Sequence, residues 1–234
     1  MKLLQLDIQG TPNIGLYGFA TNYFCLLGTL FPQDVVEQIE KTLKVPCYTI
    51  HAAASSLIGA LVTGNSSCLL LPSIIEDDEL AAINKIVAAA CKKHSISMKT
   101  FVVPSKLTAL GNNILCNDSG CLVNPGYSAD VKKLIRQSLN VPLHPGMLSD
   151  AEVVGSCAVH TTSGGVVHMH ATPEQKEEVE SLLQIPFVHG TANFGSPYLR
   201  SAVLCNDYGL VVGSTSTGIE IENIYEGLGF LGQK

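Results

Sequence analysis

One phrase recurs along the chain and limits what it can fold into. Over residues 109–125 the sequence reads as a loop ending at Gly111, a short apolar strand, the polar turn Cys116-Asn117-Asp118-Ser119-Gly120, a second apolar strand and a proline. A helical pattern follows over residues 128–139. Residues 201–213 repeat this order, down to the turn Cys205-Asn206-Asp207-Tyr208-Gly209. Self-similarity at a fixed period is the signature of a repeat architecture, so the period is the first property to establish.

The marker glycine falls at Gly15, Gly59, Gly111 and Gly155, with spacings of 44, 52 and 44 residues. The fifth position is Arg200, where the glycine is lost. The longer second interval is taken up by a longer helix and the linker Ser95-Ile96-Ser97. The chain therefore reads as one domain, residues 1–234, of five repeats at about 1–46, 47–98, 99–142, 143–186 and 187–234.

Each repeat carries an entry strand, a two-strand hairpin and a helix. Leu4, Leu6 and Ile8 alternate along the first strand. The helix faces are Val35, Ile39 and Leu43; Leu80, Ile83 and Val87; Val131, Leu134, Ile135 and Leu139; and Ile221, Ile224 and Leu228. Ser128 is placed to cap its helix, and Thr172 with Gln175 and Thr217 with Glu220 form capping boxes. Glu76, Asp77 and Asp78 at one helix start, and Lys92, Lys93 and His94 at its end, complement the helix dipole.

A three-stranded unit with one helix is too small to stand alone. Neither the first nor the last unit has a distinct polar cap, which favours a closed ring over an open stack. The expected fold is α/β: a five-bladed α/β propeller with five-fold pseudosymmetry.

Composition narrows the function. A formal net charge of -6 argues against binding nucleic acid mainly through phosphates, and suits a basic protein partner better. Asp7 interrupts the N-terminal apolar run, and no stretch approaches about 18 apolar residues, so neither a leader nor a membrane association is expected. The sequons at Asn65 and Asn117 then carry little meaning. The eight cysteines contain no Cys-x-x-Cys pair and read as reduced, intracellular and mostly buried.

The phrases Thr108-Ala109-Leu110-Gly111-Asn112, Cys116-Asn117-Asp118, Gly190-Thr191-Ala192-Asn193 and Leu69-Leu70-Leu71-Pro72, in this order over five repeats, resemble the translation initiation factor six family. That resemblance implies the pentein propeller fold and a ribosome anti-association factor. Its members bind the large ribosomal subunit on its inter-subunit face, beside the sarcin–ricin loop, and block joining to the small subunit. They act in large-subunit biogenesis and translation initiation, and a release GTPase with its maturation partner evicts them. It further implies a monomer when free, no cofactor, no chemistry, and residence in the cytoplasm, with the nucleus and nucleolus added in a eukaryote.

Two departures stand out. Many eukaryotic members carry an arginine after the second marker glycine, where this chain has Ala60. Many carry a C-terminal tail proposed as a phosphorylation target, whereas this sequence stops at Lys234, so tail-based regulation is not expected.

The same fold hosts guanidino-group hydrolases and amidinotransferases, whose nucleophile is a cysteine of the last unit. Cys205 is the candidate here, with His160, His189 and Asp207 as conceivable helpers. Cys205, however, stands in register with Cys116 ahead of an identical Asn-Asp, which fits strand-end packing better than a single active site. His168 and His170 put two imidazoles on one strand face but lack a third ligand at suitable spacing, so no metal is expected. Cys116 and Cys121 flank a hairpin turn and are close enough for a disulfide, which the reduced-thiol reading disfavours. The glycines lack the context of a nucleotide loop.

The remaining candidates are for partner binding. In a closed ring the positions after each marker ring one end: Leu16, Ala60, Asn112, Ser156 and Ser201, with Gly111 beside Asn112. Asn112 stands out because the family phrase matches there residue for residue. A ribosomal protein is the expected main contact, with ribosomal RNA secondary.

Overall fold

Runs such as Cys25–Gly28 and Cys68–Pro72 are apolar at every position, which a strand tolerates only when both of its faces are covered. The computed structural model, which describes residues 2–231, shows what covers them. Lys234 lies outside the described residues. Among the described residues are five three-stranded sheets and five long helices, Gln33–Leu43, Asp77–His94, Ala129–Leu139, Pro173–Leu183 and Gly218–Gly227. The sheets are the blades of a closed five-bladed α/β propeller.

Each sheet crosses a repeat boundary. The hairpin of one repeat forms two of its strands, and the entry strand of the next repeat adds in parallel: Cys25 pairs with Cys47, Cys68 with Lys99, Cys121 with Leu143, and Gly165 with Phe187. The first strand, Leu3–Leu6, has no preceding hairpin in sequence and pairs in parallel with Gly209–Gly213 of the last repeat. This strand exchange closes the ring and leaves no repeat able to form its sheet alone.

The core lies between blades, not inside them. Along the middle strand of each sheet, alternate side chains enter two different cores. Leu26 packs with Leu69, Leu71 and Ile83, whereas Cys25 and Leu27 pack with Leu204 and Val211. Each helix fills the wedge between adjacent sheets, so its apolar stripe meets two layers of strands. In the first helix the buried face is Val36, Ile39 and Leu43, with Val35 half-buried at its edge.

Three local devices repeat around the ring. The marker positions sit on short helical turns, Ile14–Tyr17, Ile58–Leu61, Leu110–Asn113 and Leu199–Ala202, not at loop ends. They meet at the axis: a Cβ on Gly59 would overlap the carbonyl of Gly15, and one on Gly111 that of Gly59. Only glycine lets these backbones approach so closely.

At the opposite end, the first residue of a hairpin turn bonds the C-terminal carbonyl of the next blade's helix. Asn65 donates to Leu139 O at 2.9 Å, Asn117 to Leu183 O at 2.7 Å, Thr161 to Leu228 O at 2.7 Å, and Asn206 to Leu43 O at 2.9 Å. These carbonyls are among those a helix leaves unsatisfied. In the first blade Thr21 bonds within its own turn, and Tyr23 instead meets His94 at the end of the longest helix, the rings tilted and 5.3 Å apart.

The third device pins the entry loops. The capping-box residue at the third helical position also binds the loop beside it. Glu79 accepts from Ala53 N (2.7 Å) and Ala54 N (2.8 Å), Gln175 from Ser149 N (2.9 Å), and Glu220 from Gly195 N (2.7 Å) and Phe194 N (3.2 Å). The loops need this support because Ala53, Ala54, Ser149, Asn193 and Phe194 all hold the left-handed backbone that L-residues disfavour.

Candidate functional site

The axis has two unlike ends. At the marker end the helical turns close it. There Ala60 and Gly111 are buried, while Leu16, Asn112, Ser156 and Ser201 are half-buried on the surface of the turns. The carbonyl of Asn112 accepts from Gly155 N (2.9 Å) and Ser156 N (3.2 Å), joining two neighbouring blades. Its side-chain amide makes no hydrogen bond to the described residues. Ser201 Oγ donates to Tyr198 O at 2.7 Å.

Around this rim stand the pinned entry loops and the strand ends, and they carry an apolar surface. Among the described residues, every exposed large apolar side chain except Tyr208 and Leu231 belongs to this end: Leu57, Ile74, Met147, Met169, Phe194, Tyr198 and Ile219. Phe194 and Ile219 are the most exposed of these, each at 82%, and Phe194 stands on a left-handed residue that Glu220 holds in place. The sequence signal for it was the Asn193-Phe194-Gly195 turn. Periodicity does not mark it, because a lone loop aromatic belongs to no pattern.

At the other end the innermost strands enclose a cavity of about 360 Å³ that opens between the hairpin turns. It brings together His160, Cys205 and Asp207, with Cys116 and Arg200; His189 lies elsewhere, bonded to Ala171 O at 3.0 Å. The grouping is not an activated thiol. Burial pushes the Cys205 thiol up to about 12, and its Sγ points to His160 O at 3.6 Å. Burial holds the His160 imidazole below its usual range, and its Nε2 meets Cys116 O at 3.0 Å, not a sulfur.

Both oxygens of Asp207 are engaged in joining blades, with Thr162 N (2.8 Å), Thr162 Oγ1 (2.8 Å) and Asn22 Nδ2 (2.7 Å). The repeated Asn-Asp is thus a blade-joining turn. The thiol with the lowered pKa is Cys116: the Cys121 thiol opposite it favours its ionised form, against the cost of burial, and the Arg200 charge adds to this. No base is set to take its proton, and both cysteines are free.

The two histidines do not share a strand face. His168 ends its strand, while His170 lies beyond it and donates its backbone N–H to His168 Nδ1 at 3.1 Å. Among the described residues no three His, Cys, Asp or Glu side chains gather as a metal site.

Arg200, at the fifth marker position, sends its side chain across the axis. Nε donates to Gly59 O and Nη2 to Val62 O, each at 3.2 Å, and the guanidinium lies 5.8 Å from the Phe19 ring centroid. Burial lowers its pKa, an effect the nearby thiols oppose.

The sequence profile of the eIF-6 family matches residues 3–227. Translation initiation factor 6 of Pyrococcus horikoshii is 37% identical over 231 residues, covering 99% of this chain and 100% of that protein. Its counterpart in Methanocaldococcus jannaschii is 35% identical over 230 residues, covering 98% and 99%. Among solved structures, a DDAH from Pseudomonas aeruginosa overlaps 92% of this chain and 74% of its own at 10% identity, with a TM-score of 0.48. Likeness at that level carries no argument about chemistry. Matched over residues 3–227 and along the full length of these factors, the chain belongs to the eIF-6 family.

Proposed function

We propose that the protein is a translation initiation factor that acts by binding, not by chemistry. It docks on the inter-subunit face of the large ribosomal subunit and excludes the small subunit, during subunit maturation and before initiation. The observation that carries this reading is the marker end. A closed, glycine-packed rim is ringed by entry loops held in left-handed conformations, and all but two of the exposed large apolar side chains among the described residues stand on it. Apolar and aromatic groups held rigid in advance are what a protein interface uses, because little entropy is lost when they bind.

The docking partner is chiefly a ribosomal protein beside the sarcin–ricin loop, with ribosomal RNA contacts secondary, because the chain's net charge is -6. Release would fall to a GTPase and its maturation partner, as the resemblance to the family implies. Sucrose-gradient sedimentation tests the reading: the protein should travel with large subunits and lower the yield of joined ribosomes. Its absence from the large-subunit peak at moderate salt would refute it. A guanidino-group enzyme is not supported, since burial keeps Cys205 protonated.

A further inference from the structure

We propose that the axial cavity, at the end away from the docking face, binds a small organic molecule through a single carboxylate held by Arg200. Three observations lead there. The cavity measures about 360 Å³, within the range of small-molecule sites. Arg200 is the cation on its wall, and no carboxylate among the described residues pairs with it. A guanidinium has five N–H donors, of which the bonds to Gly59 O and Val62 O use two. The rest, two of them on Nη1, are unspent. No buried side-chain N or O atom among the described residues lacks a partner, so Nη1 borders the open cavity, not a dry wall. An arginine presenting free donors in this way matches the fork of a carboxylate.

The mouth selects the remainder of the ligand. Asp207 and Asp118 stand among the hairpin turns that line it, and both accept hydrogen bonds, Asp118 from Ser66 N at 2.8 Å. Two carboxylates at the entrance and one guanidinium at the floor disfavour polyanions. They admit a molecule with one deep negative charge and an uncharged body, which the Phe19, Val159 and Leu204 side chains on the wall accommodate. The site does not depend on the docking reading, because the two lie at opposite ends of the axis.

Calorimetric titration of the whole protein with sodium hexanoate, at ionic strength fixed with chloride, tests the site. Hexanoate should bind saturably, at least about tenfold tighter than citrate or inorganic phosphate, and Arg200→Met should weaken it by a similar factor or more. The chain has two arginines, and Arg136 is exposed on a helix. In the wild-type protein the guanidinium ¹⁵N resonance of Arg200 should therefore move with hexanoate while that of Arg136 stays still. This readout holds even if Arg200→Met does not fold. A response that tracks ionic strength alone, an unmoved Arg200 resonance, or phosphate binding tighter than hexanoate would overturn the proposal.

Discussion

Asn206 donates its side-chain amide to the carbonyl of Leu43 at 2.9 Å and to that of Thr21 at 3.0 Å, across the seam where the last blade meets the first. Its Oδ1 meanwhile accepts from Tyr208 N (3.0 Å) and Gly209 N (3.1 Å), shaping its own hairpin turn. One side chain thus sets the turn, satisfies a helix-end carbonyl and fastens the ring, and it is 4% exposed.

Asn206→Ala should therefore cost about 2–4 kcal/mol in denaturant unfolding, because it leaves buried carbonyls without donors. Asn206→Asp keeps the turn acceptor but sets a carboxylate against the carbonyl oxygens, and should be no better than alanine. If either variant unfolds within about 0.5 kcal/mol of wild type, the seam is held by the strand pairing alone.

The axial packing makes a paired prediction. Gly59→Ala forces a methyl group into the Gly15 and Gly18 carbonyls, with only backbone to yield, and should destabilise by about 3 kcal/mol or more. Gly218→Ala places the same methyl at the start of a helix with nothing within 4 Å. It should be neutral or raise stability by up to about 1 kcal/mol, through helix propensity. Thermal melts of the two proteins check the contrast in sign. Equal losses would mean that the marker turns do not touch as described.

Acid should loosen the Phe194 entry loop before it unfolds the ring. Burial raises the Glu220 pKa, but its bonds to Thr217 N, Gly195 N and Thr191 Oγ1 outweigh that, so the net shift is downward from 4.5. A carboxylate depressed in the folded state contributes stability that is complete above its unfolded value and lost as pH falls through the folded one. The Phe194 loop should thus be ordered above about pH 4.5 and lose order below it. Hydrogen exchange at Gly195 N, followed from neutral pH downward, should speed up in that window. In Glu220→Gln, which does not titrate, exchange at Gly195 should keep a constant level of protection. Acid-induced loosening in that variant as well would assign the effect to another group.

Much of this was legible in the residues and some was not, for physical reasons. Capping is local: the Thr172–Gln175 and Thr217–Glu220 boxes and the Ser128 cap are where the sequence puts them. The five-unit count comes from the period. Period-two alternation does not carry the identity of a strand's partner, so Leu3–Leu6 reads as part of its own repeat while it pairs with Gly209–Gly213. Helical turns of four residues, such as Leu110–Asn113, are shorter than any periodicity test resolves. The second role of Glu79, Gln175 and Glu220 escaped because a capping-box pattern predicts the bond to the N-cap and is silent on the loop beside it. Arg200 was visible only as a missing glycine; its reach to Gly59 and Val62 depends on closure of the ring.

The last prediction separates folding from docking at two residues of the marker end. Asn112 keeps its place through its carbonyl, so Asn112→Ser leaves the bonds from Gly155 N and Ser156 N intact and should cost folding at most about 0.5 kcal/mol. At an interface the lost amide should cost about 1–3 kcal/mol, a five- to hundredfold weaker affinity for the large subunit. Phe194→Gly is the sharper case. Phe194 is 82% exposed with φ 61, so glycine gives up little packing and removes a left-handed penalty of about 1 kcal/mol. Its melting temperature should be unchanged or higher while large-subunit binding weakens about tenfold or more. Melting curves and gradient sedimentation of the same preparations give both numbers. A lower melting temperature with unchanged binding would make Phe194 a structural residue, and unchanged binding in both variants would move the docking surface to another part of the propeller.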